Sequence, residues 1–239
     1  MSDIAASALG IADAQPRHTV ANTYGNPQSL ARSFRLRRFE RIKPLIDRIV
    51  ARKGSCRIAD IGGTEYYWNI FGSYVADTPV EIDLINLTAE PVSQPKFRGL
   101  AGDATDLSAI PDRSYDLVHS NSVIEHVGTW TAMSRMATNV RRLAPVYYVQ
   151  TPNFWFPYEP HFRVPFFHWL PEQVRARLCM QMNLGFGGQQ TTLDAAMRRV
   201  QSACVIDRGQ LAELFPDAVI KRERVLGLTK SIMAIREPA

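Results

Sequence analysis

The stretch at residues 57–65 constrains the fold more than any other part of the chain. A short apolar run ends in the acid Asp60, and Gly62 and Gly63 follow at once. Such an apolar run is typical of a strand that is buried on both faces of a parallel sheet. Glycine allows backbone angles that other residues avoid and lets a ligand approach the main chain. Ligands of open α/β sheets bind at the carboxyl ends of the strands, so we expect a ligand site here.

Apolar, strand-like runs alternate with helical segments along most of the chain. We predict strands at residues 57–62, 80–87, 97–100, 115–120 and 146–150, and a closing antiparallel pair at 218–226 and 231–235. We predict helices at residues 65–76, 129–143, 172–203 (with a glycine-rich interruption) and 207–214. Segments of this length imply right-handed crossovers. The expected fold is a Rossmann-like, doubly wound α/β sheet of seven strands, mostly parallel, with an antiparallel C-terminal strand and a helical N-terminal extension.

Residues 1–54 are expected to precede this sheet as an arm and a helix. Small and polar residues with several breakers predict a loose arm over residues 1–27. From residue 29 to residue 53, apolar side chains recur at intervals of three and four, which predicts an amphipathic helix or two, broken near Pro44. The arginines between those apolar positions are expected to form a solvated helix face.

The alternation stops at residues 151–171, a segment with five prolines and many aromatic residues. Proline removes backbone donors and stiffens the chain, so this segment is predicted to be an extended, ordered loop. Long loops at the carboxyl end of a sheet are usually functional or disordered, and the aromatic residues favour order. We therefore expect residues 55–239 to form one domain whose residues from about 151 to 205 make a substrate lid.

Bulk composition excludes several classes of protein. The formal charge is +5, but the basic residues form no long runs, so nucleic acid is not an expected partner. The three cysteines, Cys56, Cys179 and Cys204, are far apart, which argues against disulfides and against a cysteine-rich zinc site. No apolar run has the length of a bilayer span, and the start of the chain has no signal-peptide pattern. These features predict a cytoplasmic protein.

The most specific pattern lies at residues 115–127, where the predicted fourth strand runs through Ser120 and Asn121 into Ile-Glu-His at residues 124–126. This pattern resembles the strand-four signature of class I S-adenosylmethionine-dependent methyltransferases, in particular their broad small-molecule group. The Gly-Asp-Ala that begins at Gly102 is similar to the strand-three exit of that family, and Thr-Pro-Asn, from Thr151, to its strand-five exit. The resemblance covers roughly residues 55–155.

The resemblance implies S-adenosylmethionine as the cofactor. By analogy with the family, Asp60 would meet the cofactor's ammonium group, directly or through water. The backbone at Ile61, Gly62 and Gly63 would pass close to the methionine portion. The loop departs from the family's usual pattern, because Thr64 stands where a further glycine is common.

The resemblance also implies an acceptor for the ribose hydroxyls near the end of the second strand. Two residues compete for this role. Asn86 lies nearer the strand's end and its amide oxygen can accept, whereas Asp83 is acidic but lies in the middle of the run.

The carboxyl ends of the third and fourth predicted strands complete the expected cofactor site. Asp103 would accept a hydrogen bond from the adenine amino group, with the backbone of Ala104 beside it. Ser120 and Asn121, at the exit of the fourth strand, would face the transferred methyl group.

Methyl transfer to an alcohol needs a base that removes the hydroxyl proton. His161 is the first candidate, with Glu159 two residues before it, and His126 and Glu125 of the family-like signature are the others. Histidine suits the role because it titrates near neutral pH. The spacing of Glu159, His161 and His168 matches no strong zinc pattern, so no metal is expected.

The expected function is transfer of a methyl group from S-adenosylmethionine to a small-molecule acceptor, with oxygen as the methylated atom. The alternative is a non-catalytic binding or regulatory protein that keeps the fold. A third hypothesis, an RNA-modifying enzyme, rests on the basic charge alone. The sequence leaves open the identity of the acceptor and the oligomeric state, a homodimer included.

Overall fold

The computed structural model describes residues 30–237, so the arm predicted for residues 1–27 lies outside the described residues. The chain divides into two compact units. Within the described residues, the sheet unit comprises residues 33–156 and 205–237, and the inserted unit comprises Pro157–Cys204. None of the described helices combines the length and the apolar character that crossing a bilayer requires.

Nine strands lie in the described part of the chain. They are β1 (Cys56–Ile61), β2 (Val80–Asn86), β3 (Phe97–Ala101), β4 (Leu117–Asn121), β5 (Val146–Pro152), β6 (Tyr158–Glu159), β7 (Val164–Pro165), β8 (Val219–Val225) and β9 (Leu228–Arg236). Seven of them form one sheet in the order β3-β2-β1-β4-β5-β9-β8. Strands β1 to β5 are parallel, and β9 runs antiparallel to both β5 and β8. The predicted Rossmann-like sheet is confirmed.

The helices of the described part differ from the prediction in two places. They are α1 (Leu30–Lys53), α2 (Glu65–Asn69), α3 (Gly72–Asp77), α4 (Trp130–Leu143), α5 (Glu172–Gln181), α6 (Leu193–Gln201) and α7 (Arg208–Leu214). The expected break at Pro44 is wrong, because α1 continues through it. Pro44 lies on the exposed side of α1, while Ile42, Leu45 and Ile46 are buried on the other side, and that burial outweighs the local cost of proline.

The predicted helix at residues 65–76 consists of two short helices. Thr64 caps α2 through its side-chain oxygen, and Phe71 leaves the helical conformation between α2 and α3. Two causes lie side by side there. Gly72 is a poor helix former, and the Phe71 ring stacks on Phe39 of α1 at a centroid distance of 3.8 Å. The chain therefore bends to place this aromatic ring against α1.

Alternate residues of each strand pack into two separate cores. Ile58 packs in the core under α1, α2 and α3, whereas the next residue, Ala59, packs in the core under α4 and α7. Because successive side chains of a strand point to opposite faces, Asp60 and His119 lie on the α1 face. The polar residues near the strand ends therefore lie on one face of the sheet or the other according to their position in the strand.

Arg38 departs from the solvated helix face that the sequence predicts for α1. Arg37 and Arg41 are exposed, but Arg38 is only 8% exposed and pairs with Glu223 of β8. A buried guanidinium needs a full set of acceptors, and those acceptors come from strands far away in the sequence. Helical periodicity alone did not reveal them.

The inserted unit has a core of its own. Strands β6 and β7 form a small hairpin, followed by a 3₁₀ turn at Phe167–Trp169 and by α5 and α6. Buried Phe162, Phe167, Cys179 and Ala196 join these elements. The segment predicted as an extended loop is thus a hairpin and a turn. The glycine-rich interruption that was predicted between the two helices is present.

Removal of buried volume from α1 should destabilise the sheet unit. Ile46 is fully buried in the core under α1, so Ile46→Ala should lower the free energy of unfolding by about 2–5 kcal/mol. Urea denaturation followed by circular dichroism measures this change. Glu40→Ala, at an exposed position of the same helix, should leave stability near that of the wild type. Equal stability of the two variants would contradict the packing of α1 on the sheet.

Candidate functional site

Two glycines make a tight turn directly after β1. Gly62 has a φ of +73° and donates its backbone N–H to the carbonyl oxygen of Ile85 at 2.8 Å. A Cβ at Gly62 would lie 2.4 Å from the Val123 side chain, and one at Gly63 would lie 1.8 Å from Oδ2 of Asp60. No side chain fits at either position. The Gly-Gly pair is therefore required by the packing of the turn against β4's exit and against Asp60.

The Asp60 carboxylate is buried beneath this turn. Its Oδ1 is 2.6 Å from Nδ1 of His119, and its Oδ2 accepts a hydrogen bond from the Trp68 indole at 2.7 Å. The other nitrogen of His119 is 3.3 Å from the Tyr67 hydroxyl. Burial raises the pKa of Tyr67 well above its ordinary value, and the charges of Tyr148 and Asp60 act in the same direction. Both oxygens of Asp60 are thus engaged by neighbouring side chains of β4 and α2.

At the exit of β2, the two ribose candidates differ in their contacts. Asn86 is half-buried and donates from Nδ2 to the carbonyl oxygen of Gly63 at 2.8 Å. This hydrogen bond leaves the amide oxygen of Asn86 as an acceptor. The glycine turn and the ribose candidate are therefore joined by a direct contact.

Asp83 is buried in the middle of β2 and is already bound to three residues. Arg98 and Arg57 form ion pairs with it, and the Tyr115 hydroxyl donates to it at 2.8 Å. Burial and then the hydrogen bond to Asp83 raise the pKa of Tyr115 above its ordinary value. Arg98 lies directly opposite Asp83 in the parallel register of β2 and β3, a signal that strand alignment could have supplied.

The exit of β3 is a turn that Asp103 holds. Its Oδ1 accepts from both the backbone N–H and the hydroxyl of Thr105, each at 2.8 Å. Both hydrogen bonds go to one oxygen, and Oδ2 accepts from no residue in the described part of the chain. The carbonyl of Ala104 accepts from Asn139 of α4 at 3.0 Å. Sequence reasoning missed Asn139, which fixes this loop to α4.

The exit of β4 is joined to β1 and to α1. Ser120 is buried and donates to the carbonyl oxygen of Ile61 at 3.1 Å. Asn121 accepts at Oδ1 from Arg38 of α1 at 3.2 Å. Ser122 adopts a left-handed backbone conformation with φ +59°. Sequence reasoning missed the contribution of Arg38 here, because Asn121 and Arg38 are far apart in the chain.

The Ile-Glu-His signature forms a 3₁₀ turn after β4. Glu125 is fully buried and accepts from the Thr151 hydroxyl at 3.0 Å through Oε2. Its other oxygen, Oε1, makes no hydrogen bond to any residue in the described part of the chain. His126 is exposed. The two predicted residues thus lie at the same turn but differ completely in their access to solvent.

The first candidate base, His161, belongs to the inserted unit. Its Nδ1 is 2.6 Å from Oε1 of the buried Glu159, whose Oε2 accepts from the backbone N–H of Phe162 at 2.6 Å. Burial raises the pKa of Glu159, but the hydrogen bond and charge of His161 outweigh it, so the net pKa is below the ordinary value. An ionised Glu159 accepts from Nδ1 and so selects the tautomer of His161 whose proton lies on Nδ1.

No protein-family model matches the chain. Two curated relatives match, the uncharacterized proteins MT1557 and Rv1509 from the CDC 1551 and H37Rv strains of Mycobacterium tuberculosis. Each is 28% identical over 119 residues, which is 47% of this chain. The match spans only 36% of the length of each relative.

Solved structures also align with the chain. One is a SAM-dependent methyltransferase from Aquifex aeolicus (12% identity, 76% of this chain, 81% of that chain, TM-score 0.41). Another is the YcgJ protein from Bacillus subtilis (15% identity, 71% of this chain, 64% of that chain, TM-score 0.45). A third, from Rhodobacter sphaeroides, is named as a Zn-dependent alcohol dehydrogenase (9% identity, 77% of this chain, 84% of that chain, TM-score 0.48).

The architecture of the sheet defines the fold. Five parallel strands are followed by an antiparallel pair in the order β3-β2-β1-β4-β5-β9-β8, and a Gly-Gly turn follows β1. The polar exits of β2, β3 and β4 lie at the carboxyl ends of neighbouring strands, where open α/β sheets bind their ligands. The chain has the fold of class I S-adenosylmethionine-dependent methyltransferases.

The contact between Gly63 and Asp60 can be tested directly. In Gly63→Ala the added methyl group would overlap Oδ2 of Asp60, and the carboxylate would have to leave its buried partners. We expect the free energy of unfolding to fall by about 3 kcal/mol, the scale of a broken hydrogen bond to a buried charge. Gly72→Ala is the matched control, since a Cβ there meets nothing within 4 Å. Equal stability of both variants in urea would show that the turn does not depend on this contact.

Proposed function

We propose that the chain transfers a methyl group from S-adenosylmethionine to a small-molecule acceptor, with oxygen as the methylated atom. One observation carries the proposal. Along the sheet order, the exits of β3, β2, β1 and β4 present Asp103, Asn86, the glycine turn and Asn121. Adenine, ribose and methionine are joined in the same order in the cofactor. An elongated ligand across these exits would meet a suitable polar group at each part.

In this proposal each exit serves one part of the cofactor. Oδ2 of Asp103 accepts from the adenine amino group, with the Ala104 backbone beside the ring. The amide oxygen of Asn86 accepts from a ribose hydroxyl, since its NH₂ group is bound to Gly63. We favour Asn86 over Asp83, because the oxygens of Asp83 are occupied by two arginines and a tyrosine.

We propose a supporting role for Asp60. Its oxygens already bind His119 and Trp68, and Gly63 lies directly against Oδ2. The carboxylate would shape the turn from beneath while the backbone of Gly62, which is exposed, passes along the methionine portion. Asp60 would thus shape the cofactor site through the turn, without an exposed oxygen that contacts the cofactor.

Calorimetry with S-adenosylmethionine tests the cofactor proposal, with Asp103→Asn as the decisive variant. The asparagine can keep an oxygen on Thr105, which preserves the turn, but puts an NH₂ group where the adenine amino group needs an acceptor. We expect affinity to fall at least about tenfold, equivalent to about 1.4 kcal/mol.

Asp106→Asn is the control for this experiment. Asp106 makes a comparable turn contact with Ser108 and is exposed, so its variant should bind like the wild type. No binding by the wild type would sink the cofactor proposal and leave a non-catalytic protein with this fold. Unchanged affinity of Asp103→Asn would mean that adenine lies elsewhere.

We further propose that His161 is the general base, oriented by Glu159. The acceptor oxygen would attack the methyl carbon, the carbon–sulfur electron pair would stay on sulfur, and the hydroxyl proton would pass to Nε2 of His161. S-adenosylhomocysteine and the methylated acceptor are the products. Support comes from the 2.6 Å contact to the buried carboxylate, which fixes the tautomer that a base needs.

A screen of small-molecule extracts with methyl-labelled cofactor would identify an acceptor and so allow the base to be tested. With that acceptor, His161→Gln should lower kcat by about 10²–10⁴-fold, the usual contribution of a general base. Its cofactor affinity should stay unchanged, and Glu159→Gln should show a smaller loss of kcat. His168→Gln, in the same unit, is the control. A normal kcat for His161→Gln would refute the assignment.

A further inference from the structure

A single buried arginine organises the exit of β4. Arg38 of α1 is 8% exposed, and its charge is balanced by Glu223, with Nη2 to Oε2 at 2.7 Å and Nε to Oε1 at 3.1 Å. Burial raises the pKa of Glu223, but the hydrogen bond and charge of Arg38 outweigh it and the net pKa is lowered. The pair is therefore ionised and fixed in place.

The rest of the guanidinium reaches three other side chains. Nη2 also donates to the Ser231 hydroxyl at 2.9 Å, and Nη1 donates to Gln150 at 2.9 Å and to Asn121 at 3.2 Å. The acceptors belong to β4, β5, β8 and β9. All three guanidinium nitrogens donate, and a planar fork of this kind fixes its acceptors in direction as well as in distance.

This fork sets the orientation of the Asn121 amide. A guanidinium only donates, so the atom of Asn121 that faces Arg38 must be Oδ1. The NH₂ group is then turned away from the guanidinium, and it makes no hydrogen bond to any residue between positions 30 and 237 that the structure describes. Asn121 is half-buried. The β4 exit therefore presents a donor.

The neighbouring loop is held by the same cluster. The Ser122 hydroxyl donates to Oε1 of Gln150 at 3.0 Å, the same oxygen that Arg38 binds, and the Ser122 backbone N–H donates to the Gln150 carbonyl at 2.9 Å. Ser122 is kept in a left-handed conformation, which is uncommon for residues other than glycine. Both residues that follow Ser120 are thus tied, directly or through Gln150, to Arg38.

We propose that Arg38 is a positioning residue that turns Asn121 so that its NH₂ group binds the carboxylate of the cofactor's methionine end. This inference rests on the proposed function. If adenine lies at β3 and ribose at β2, the amino-acid end extends past β1 toward β4. That end carries an ammonium group, which needs an acceptor, and a carboxylate, which needs a donor. A donor at Asn121 selects the carboxylate.

Asn121→Asp tests the donor without threatening the fold. Aspartate can still accept from Arg38, and it gains charge attraction, so stability in urea should equal or exceed that of the wild type. The NH₂ group becomes a second oxygen that repels a carboxylate. We expect affinity for S-adenosylhomocysteine, measured by calorimetry, to fall at least about tenfold.

The truncated ligand 5′-methylthioadenosine locates the effect, because it keeps adenine, ribose and sulfur but lacks the amino-acid end. Its affinity should be the same for wild type and Asn121→Asp. Equal affinity of both proteins for S-adenosylhomocysteine would overturn the proposal, as would equal losses with both ligands. Failure of the wild type to bind either ligand would refute the proposed cofactor site itself. This outcome depends on the wild type alone and is therefore distinct from failure of the Asn121 proposal.

A second experiment separates positioning from support of the fold. Arg38→Lys keeps the charge near Glu223 but lacks the fork that reaches Asn121 and Gln150, and we expect about five- to tenfold weaker binding of S-adenosylhomocysteine. In the Asn121→Ala background the same change should add no further loss, because the positioned group is gone.

Glu223→Gln is the matched control for stability. It removes the charged partner of Arg38 but leaves the contact to Asn121, so stability should fall while affinity stays within about twofold of the wild type. Affinity losses that follow stability in Arg38→Lys and Glu223→Gln alike would show that Arg38 only supports the fold. Additive losses in the double variant would also contradict the positioning role.

Discussion

The carboxylate of Asp60, sealed beneath a two-glycine turn, is the constraint on which the rest of the site depends. A buried carboxylate must be hydrogen-bonded or it destabilises the fold, and Asp60 binds His119 of β4 and Trp68 of α2. These contacts join the first and fourth strands with the helix that follows the turn. Because Gly63 lies against Oδ2, the turn can follow only one path. The exposed backbone at Gly62 is a consequence of that buried contact.

Arg38 fixes the ends of β4 and β5, as Asp60 fixes the turn after β1. Apolar packing holds α1 on the sheet, but apolar contacts alone allow small shifts along the sheet surface. The Arg38 guanidinium removes that freedom, because its hydrogen bonds to Glu223, Gln150 and Asn121 are directional. The apolar core supplies most of the stability, and the two buried charged clusters fix where the polar strand ends lie.

Much of this architecture follows from local patterns in the sequence. Apolar runs located the strands, the Gly-Gly pair marked the end of β1, and strand exits predicted Asn86, Asp103 and Asn121 as neighbours along one edge. The partners of buried charges did not follow, since Arg38 and Glu223 are separated by 185 positions. Nor did the uninterrupted α1, because propensity at Pro44 is a local property that tertiary burial overrides.

In the proposed enzyme, the edge of the sheet and the choice of acceptor would be set by different kinds of constraint. Parallel strands bring their carboxyl ends to one edge whatever their loops contain, so residues at those ends can be assigned to parts of a cofactor before any substrate is known. Glu159 and His161 instead depend on a hairpin of the inserted unit, where a two-residue spacing and one buried carboxylate select a tautomer. A hairpin can change its side chains without disturbing the sheet. The cofactor assignment can therefore be established by binding alone, and the acceptor must be found by its chemistry.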